Sequence, residues 1–340
     1  MRRSFILSIV AAAAVCTLAA GAVAQTSLSV YTTLEQEFLD GFRKAFEADN
    51  PDIRIDFLRD STGVITARLQ AEKATPRADA IWGLAVTSAL VLDAEGILEP
   101  YRPADFDSLR PEFRDPRPNP TWFGMEAWSA AVCFNTIEAA KHGLATPLRW
   151  ADLTRPEFKG RIQMPNPASS GTGFFHVAGW IQMMGEENAW AFMDRLHANV
   201  AAYVHSGSKP CRDAATGEFP VGISFELLGA QLRTRGAPIE TVIIAEGGGW
   251  DMDVFAIVKG TRNLAAARRL ADWAASRKAN EMYAAFATQV AWPGIENRMP
   301  NYPAGVAQSL IRNDFAWAAA NRARILAEWT RRYDAKSAPR

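Results

Sequence analysis

The chain has 340 residues, a length that allows two domains of ordinary size, and 49% of its residues are hydrophobic. Its 37 basic residues balance its 37 acidic residues, so the formal net charge at pH 7 is zero. A chain without a basic or acidic excess is not expected to bind nucleic acid or a membrane surface as its main role.

The N-terminal segment, residues 1–24, predicts a secretory signal peptide. Two arginines precede an apolar run over residues 5–20, and Ala22-Val23-Ala24 then has the small-x-small pattern of a signal-peptidase site. We expect cleavage after Ala24 and export of the mature protein to the periplasm. The apolar run is short for a membrane span. A lipid anchor on Cys16 stays open as an alternative, although a valine precedes this cysteine where a small residue is expected.

Cleavage at that site leaves two cysteines, Cys133 and Cys211. In an oxidising compartment two cysteines usually form one disulfide, and we expect this pair to be bridged. Two buried free thiols are the first alternative. A catalytic thiol at Cys211 is the second, because Lys209 and Arg212 would favour its thiolate. The His and Asp or Asn partners of such a nucleophile cannot be identified in the sequence.

Strands and helices alternate in the first part of the mature chain. The spacing of apolar residues predicts strands over 28–31, 52–57 and 78–82, and helices over 34–48, 62–74 and 88–95. This order implies a parallel sheet with helices on both faces. Ligands of such sheets lie beyond the carboxyl ends of the strands, where Tyr31, Asp60-Ser61-Thr62-Gly63 and Trp82 are found. These loops predict one side of a binding cleft.

A second lobe is expected after the proline-rich stretch 106–121. The strand predicted over 127–135 would cross into this lobe, and the strands predicted over 242–244 and 252–258 would return to the first. The remaining predicted elements are strands over 201–204 and 220–226, and helices over 188–197, 264–276, 279–287 and 315–333. We expect a first lobe of residues 25–112 and 227–290, a second lobe of residues 113–226, and a C-terminal helical segment, 291–340, that braces both.

The stretch Met164–Gly173, Met-Pro-Asn-Pro-Ala-Ser-Ser-Gly-Thr-Gly, predicts a site for an oxyanion. Its hydroxyls and glycines stand where a helix should begin, and a helix N-terminus presents bare N–H groups and a positive dipole end. An ordinary capped helix is the alternative. Asp60-Ser61-Thr62-Gly63 and His205-Ser206-Gly207-Ser208 have the same character, and three such loops favour a tetrahedral oxyanion. None of them matches a nucleotide P-loop.

Six segments together carry a resemblance to one family. They are Val30-Tyr31-Thr32 and residues 59–63, 164–173, 205–211, 222–226 and 313–322. The mature chain resembles the periplasmic 2-aminoethylphosphonate-binding proteins of ABC importers. The resemblance implies the α/β type II periplasmic-binding-protein fold, in which two lobes, each a sheet flanked by helices, are hinged by crossing strands. It also implies a monomer without enzymatic activity or cofactor, which delivers its ligand to the ABC permease subunits.

2-Aminoethylphosphonate carries a phosphonate dianion and an ammonium group, so its binder needs anion donors at one end and a carboxylate or aromatic face at the other. For the phosphonate end we expect contacts from Thr62, Gly63, Ser169, Ser170, Gly171, Thr172, Ser206 and Ser208. For the ammonium end and the walls we expect Tyr31, Trp82, Glu226, Trp250 and Asp251. The alternatives are an ion pair for Glu226, a turn for Asp251, and core packing for the tryptophans.

The ferric-ion-binding proteins are a more distant resemblance, and they hold iron through a tyrosine pair. The corresponding place here reads Ser224-Phe225-Glu226-Leu227, and the early histidine is also missing from the segment 31–35. A hard metal needs several oxygen ligands in one place. The sequence does not show such a cluster, so we reject iron as the main ligand and expect no metal site. Other phosphonates, inorganic phosphate and polyamines remain open as ligands. An enzyme of the same two-lobed fold, using Cys211 or Glu226, is the remaining alternative.

Overall fold

The computed structural model describes residues 25–287, 289–296 and 299–339, and the predicted signal peptide lies outside the described residues. The strands are β1 Thr26–Thr32, β2 Ile53–Arg59, β3 Ala80–Ala85, β4 Leu98–Glu99, β5 Trp122–Asn135, β6 Ile162–Pro165, β7 Val200–Val204, β8 Val221–Phe225, β9 Ile239–Val242, β10 Trp250–Val258 and β11 Gln289–Val290. The helices are α1 Gln36–Asp49, α2 Thr62–Ala71, α3 Val86–Ala94, α4 Thr136–Lys141, α5 Gly171–Met184, α6 Glu186–Asn199, α7 Lys209–Thr216, α8 Glu226–Thr234, α9 Leu264–Ala275, α10 Arg277–Tyr283, α11 Val306–Ser309 and α12 Phe315–Tyr333.

The strands form two lobes that share β5. In the first lobe the order is β2-β1-β3-β10-β5, with β1 parallel to its neighbours and β10 antiparallel to β3 and β5. In the second lobe β5 continues beside β8, followed by β6 and β7. The long strand β5 pairs with β10 up to Ser129 and with β8 from Ala130 onward. This arrangement confirms the α/β two-lobed fold expected from the sequence.

The chain returns to the first lobe later than the sequence suggested. Strand β9 pairs with the second half of β5, with Val242 opposite Val132. Residues up to 242 therefore lie with the second lobe, beyond the expected boundary at residue 226. The returning strand is β10 alone, since Trp250 pairs with Ser129 in the first sheet. An apolar run shows that a strand forms, but it does not show which sheet the strand joins.

Helix α12 contacts both lobes. It packs against α3 in the first lobe. Toward the second lobe, the Tyr333 hydroxyl donates to Asp194 of α6 at 2.7 Å, and the Trp329 ring meets the Tyr203 ring edge-on at 4.8 Å. The C-terminal helix therefore spans the junction between the lobes, and its residues Trp329 and Tyr333 are buried there.

Cys133 and Cys211 form a disulfide, with 5.2 Å between their Cα atoms and 78 residues between them in sequence. Both residues are fully buried. The bond fastens the first turn of α7 to the crossing strand β5. Because the sulfur of Cys211 is bonded, it is not a free thiol, and the alternative of a thiol enzyme at this residue is excluded.

Within the described ranges, no helix combines the length and the apolar character needed to cross a membrane.

Candidate functional site

A cleft between the two lobes holds about 720 Å³ of space not filled by atoms, including its open mouth. Helices α2, α5 and α7 begin at this cleft, and the middle of β5 and the start of β10 form its base. The polar residues that line it are Thr33, Glu35, Arg59, Ser61, Thr62, Glu126, Ser170, Thr172, Ser206, Ser208, Gln231 and Asp253.

Hydroxyl groups gather at the three helix N-termini. Ser61 and Ser208 occupy the positions before α2 and α7, and Ser170 caps α5 by accepting a hydrogen bond from Gly173 N at 3.2 Å. The first N–H groups of a helix have no partner within it, and the helix dipole makes this end electropositive. Three such ends at one cleft form a site suited to an oxyanion.

Glycines allow these loops to approach one another closely. A Cβ atom on Gly171 would lie 2.7 Å from Thr62 Oγ1, and one on Gly207 would lie 2.5 Å from Thr172 Oγ1. Non-bonded heavy atoms do not approach this closely, so larger residues would push the loops apart. The hydroxyls of all three predicted loops are therefore brought together, with Thr62, Ser170, Gly171, Thr172, Ser206 and Ser208 on the cleft surface.

Two residues expected at the phosphonate end lie outside the cleft lining. Gly63 N donates to Ser169 O at 2.8 Å, and a Cβ atom on Gly63 would lie 2.0 Å from Ala168 O. The Ser169 hydroxyl donates to His205 O at 2.9 Å. The hydrogen bonds of Gly63 and Ser169 therefore link the three loops to one another. Their polar groups are bonded within the protein and do not face the cleft.

Arg59 is a cleft residue that the sequence analysis did not include among the ligand contacts. It ends β2, so the signal was its position at the carboxyl end of a parallel strand. Its Nε donates to Leu34 O at 3.1 Å, and its Nη2 lies 3.5 Å from Glu35 Oε2. The guanidinium adds a positive charge to the side of the cleft that holds the hydroxyls.

Two carboxyl groups face the cleft from neighbouring strands. Glu126 of β5 and Asp253 of β10 are directly opposite in the antiparallel pairing, and only 3% and 7% of their surfaces are exposed. Glu126 Oε2 and Asp253 Oδ1 have no hydrogen-bond partner among the described residues. Burial, followed by the neighbouring carboxylate, raises the pKa of Glu126 well above its usual range, and burial raises the pKa of Asp253 to about 7.

The acids expected at the ammonium end are used elsewhere in the structure. Glu226 begins α8 instead of ending a strand, and its carboxylate accepts from Ser129 N at 2.7 Å and from the Tyr302 hydroxyl at 3.0 Å. Asp251 accepts from the Thr87 hydroxyl at 2.6 Å and from Met252 N at 2.8 Å. Both are buried away from the cleft lining, where donors from the protein satisfy them.

The three expected aromatic walls also lie away from the cleft lining. The Tyr31 hydroxyl donates to Glu72 at 2.9 Å, and the Trp82 N–H donates to the Tyr283 hydroxyl at 3.0 Å inside the first lobe. The Trp250 N–H donates to Ile311 O at 2.9 Å. Tyr31 and Trp82 are buried in the core, Trp250 packs against it half-buried, and the polar atom of each ring has a partner within the protein. The aromatic rings that do line the cleft are Phe38, Trp128, Phe225 and Phe286.

In the part of the chain that the structure describes, no group of three or more His, Cys, Asp or Glu side chains is arranged to hold a metal ion. The polar lining instead divides into hydroxyls with Arg59 and the paired carboxyls of Glu126 and Asp253. Such a cleft can bind a small molecule that has an oxyanion and a hydrogen-bond donor or cation.

Comparison with known proteins identifies similar solute-binding proteins. Residues 90–317 match the family described as bacterial extracellular solute-binding protein. An uncharacterised protein of Haemophilus influenzae is 33% identical over 76% of this chain and 75% of its own length. A probable ABC transporter periplasmic-binding protein, y4fP, of Sinorhizobium fredii is 25% identical over 87% of this chain and 82% of its own length.

A solved structure extends this comparison to three dimensions. The periplasmic binding protein AfuA from Actinobacillus pleuropneumoniae, with fructose-6-phosphate bound, is 31% identical and has a TM-score of 0.85. The match covers 91% of this chain and 99% of AfuA. This similarity confirms the two-lobed periplasmic-binding-protein fold.

Proposed function

The chain belongs to the bacterial extracellular solute-binding proteins, and we propose that it is the periplasmic solute-binding component of an ABC importer and binds 2-aminoethylphosphonate between its lobes. One observation carries the choice of ligand: a cluster of hydroxyls at three helix N-termini shares a cleft with two buried carboxyls, each of which has one oxygen without a partner. A zwitterion with an oxyanion at one end and an ammonium at the other matches both groups.

The phosphonate would bind at the helix N-termini. Its oxygens are acceptors, and the hydroxyls of Thr62, Ser170 and Thr172 are potential donors on the cleft surface. Arg59 would offset part of the dianion's charge. This end of the site would serve any phosphonate or phosphate monoester, so it does not select the amine.

The ammonium would bind at Glu126 and Asp253. An ammonium group has three donors and no acceptor, whereas each of these carboxyls has one oxygen without a partner. A buried charge without a partner is costly, so a cation at this position would be strongly favoured over an apolar group. This end would therefore select ligands that carry an amine.

Contacts across the cleft support a role in closing over a ligand. His205 Nε2 lies 3.2 Å from Asp60 Oδ1, and Gly63 N donates to Ser169 O, in each case between the two lobes. A closed pair of lobes would enclose the ligand for delivery to the permease. The protein would act by binding alone, without a chemical step.

A sugar phosphate is the second candidate ligand, because AfuA holds fructose-6-phosphate and is 31% identical to this chain. Its phosphate would use the same helix N-termini. Its hydroxyls would donate to Glu126 and Asp253 in place of an ammonium, since protein carboxyls accept such bonds. The two candidates differ in charge at this end of the cleft, and that difference can be measured.

Calorimetric titration of the mature protein tests the proposal with five ligands: 2-aminoethylphosphonate, ethylphosphonate, phosphate, fructose-6-phosphate and putrescine. We expect 2-aminoethylphosphonate to bind most tightly, and ethylphosphonate at least tenfold more weakly, because charge-assisted hydrogen bonds contribute about 1.5–3 kcal/mol. Tighter binding of fructose-6-phosphate would favour the second candidate. Tightest binding of putrescine, or no binding of any phosphorus compound, would contradict both.

A further inference from the structure

Glu126 and Asp253 are opposite each other on neighbouring strands, and both carboxyl groups are buried at the cleft. We propose that the two groups share one proton in the unliganded protein, and that the ligand's ammonium group displaces this proton to solvent when it binds. The inference rests on the function proposed above and adds to it a coupling between ligand binding and proton release.

The geometry of the strands brings the two carboxyls together. Directly opposite residues of an antiparallel pair have Cβ atoms about 4.5–5.5 Å apart, and Asp253 is directly opposite Glu126. The pairing shifts register immediately after Asp253, between it and Val254. Two carboxylates this close in a buried site do not both ionise unless a cation joins them, and one shared proton is the usual solution.

The surroundings do not supply the missing cation. No Lys or Arg of the described ranges forms an ion pair with either carboxyl, and the strands beside the pair place Ala85 opposite Asp253 and Val290 opposite Glu126. Glu35, Glu226, Asp251 and Tyr283 interact electrostatically with one or other carboxyl of the pair. Arg59 and Arg322 are also nearby, but they interact with Glu35 and Asp251 instead.

Those neighbours mostly add negative charge. Glu226 and Asp251 raise the pKa of Glu126 further, and Glu35 raises that of Asp253. The two guanidiniums are directed to other acids, since Arg59 lies beside Glu35 and Arg322 acts on Asp251. The pair therefore retains a proton near neutral pH, with burial as the main cause.

An ammonium in the cleft reverses this balance. An opposite charge within about 4–6 Å lowers the pKa of a carboxyl by about 1–3 units. The Asp253 pKa of about 7 would then fall below neutrality, and the proton would leave for solvent. The ammonium donates its N–H groups to the freed oxygens, so no new bond to the ligand is made or broken other than hydrogen bonds. A ligand without a cation would leave the proton in place.

Calorimetry counts this proton directly. The binding enthalpy of 2-aminoethylphosphonate is measured at neutral pH in several buffers of different ionisation enthalpy, and the slope gives the protons released. The ligand's phosphonate also exchanges protons, because phosphoryl groups lose their second proton near pH 6. The Glu126→Gln, Asp253→Asn double variant is the control, because it has no titratable carboxyl at this place and the ligand's own contribution is the same in both proteins.

We expect the wild-type protein to release more protons than the Glu126→Gln, Asp253→Asn double variant, by about one per ligand bound. Equal counts in the two proteins would overturn the displacement step while leaving the choice of ligand intact. Absence of any binding heat with 2-aminoethylphosphonate would overturn the proposed function and the displacement step together.

A second measurement tests the shared proton without a ligand. A carboxyl whose folded-state pKa is raised contributes stability below its unfolded pKa, and this contribution is lost as pH rises through the folded pKa. The melting temperature of the wild-type protein should therefore fall between about pH 4 and 7 relative to that of the Glu126→Gln, Asp253→Asn double variant. Parallel pH profiles in the two proteins would overturn the shared proton itself.

Discussion

Arg212 of α7 reaches across the mouth of the cleft to Glu35, with 3.2 Å between Arg212 Nη2 and Glu35 Oε2. The same nitrogen lies 3.2 Å from Glu37 Oε1 at the start of α1. On the opposite side of Glu35 stands Arg59, which lines the cleft. A side chain of the second lobe thus joins an acidic pair of the first lobe, and this contact exists only when the lobes are close.

Replacing Arg212 with alanine should weaken binding of every ligand of the cleft by favouring the open form. The three side chains are partly exposed, so the two ion pairs together contribute about 1 kcal/mol, which corresponds to about a fivefold rise in Kd. Calorimetry measures the change. The control is Arg269→Ala, because Arg269 pairs with Asp52 inside the first lobe. Equal effects of the two substitutions would show that the Arg212 contact does not act through closure.

Thr172→Val should weaken binding of 2-aminoethylphosphonate and of ethylphosphonate alike. Valine keeps the shape of the side chain and removes the hydroxyl that faces the cleft. A hydrogen bond to a charged group contributes about 1.5–3 kcal/mol, so both Kd values should rise at least tenfold. Thr154→Val is the control, since its hydroxyl donates to Ala151 O far from the cleft. Unchanged Kd values would mean that the anion binds away from this helix N-terminus.

The position of the hydroxyl-rich loops at the cleft was predictable from sequence because their signals are local. Each loop combines hydroxyls and glycines with the start of a helix, as in Ser170-Gly171-Thr172, and such a pattern is read within one short stretch. The alternation of strands and helices likewise predicted an α/β sheet, and the family resemblance implied its two-lobed arrangement. The disulfide followed from the number of cysteines left after export, since only Cys133 and Cys211 remain.

The carboxyl end was not predictable because it depends on pairing between distant strands. Glu126 stands one residue before the predicted start of its strand at Ala127, and nothing local sets it opposite Asp253. We expected Asp251 at the cleft instead. Residues two apart on a strand share a face, so the alternation alone does not distinguish Asp251 from Asp253. Glu226 was assigned to the cleft because it follows an apolar run, but Ser129 N and the Tyr302 hydroxyl hold its carboxylate elsewhere.

Removal of the disulfide should destabilise the protein and loosen α7. The Cys133→Ser, Cys211→Ser double variant should lose about 2–5 kcal/mol of unfolding free energy, as measured by urea denaturation. Ligand binding should also weaken, because α7 begins beside Ser208 at the cleft and the bond fastens it to β5. A reducing agent should destabilise the wild-type protein and leave the double variant unchanged. Alkylation of two thiols without prior reduction would show that the bridge is absent.

The comparison of Glu226→Gln with Asp253→Asn separates the carboxylate that would bind the ammonium from one that holds the fold. Each substitution keeps the shape of its side chain and removes a charge. Asp253 has an oxygen without a partner at the cleft, so Asp253→Asn should raise the Kd of 2-aminoethylphosphonate at least tenfold. Ethylphosphonate has no amine, and its Kd should hold steady or fall.

Glu226→Gln should lower the stability of the protein and leave the binding of 2-aminoethylphosphonate nearly unchanged. Its carboxylate accepts from Ser129 N and from the Tyr302 hydroxyl. A glutamine can accept from Ser129 N through Oε1 and donate through Nε2 to the Tyr302 hydroxyl, which also accepts. The cost is about 1 kcal/mol of unfolding free energy, because bonds to a charged acceptor become bonds between neutral groups. The Kd of 2-aminoethylphosphonate should stay within about twofold, since Glu226 is absent from the cleft lining. Selective loss of the amine-bearing ligand in Glu226→Gln, with no such loss in Asp253→Asn, would return the ammonium site to Glu226.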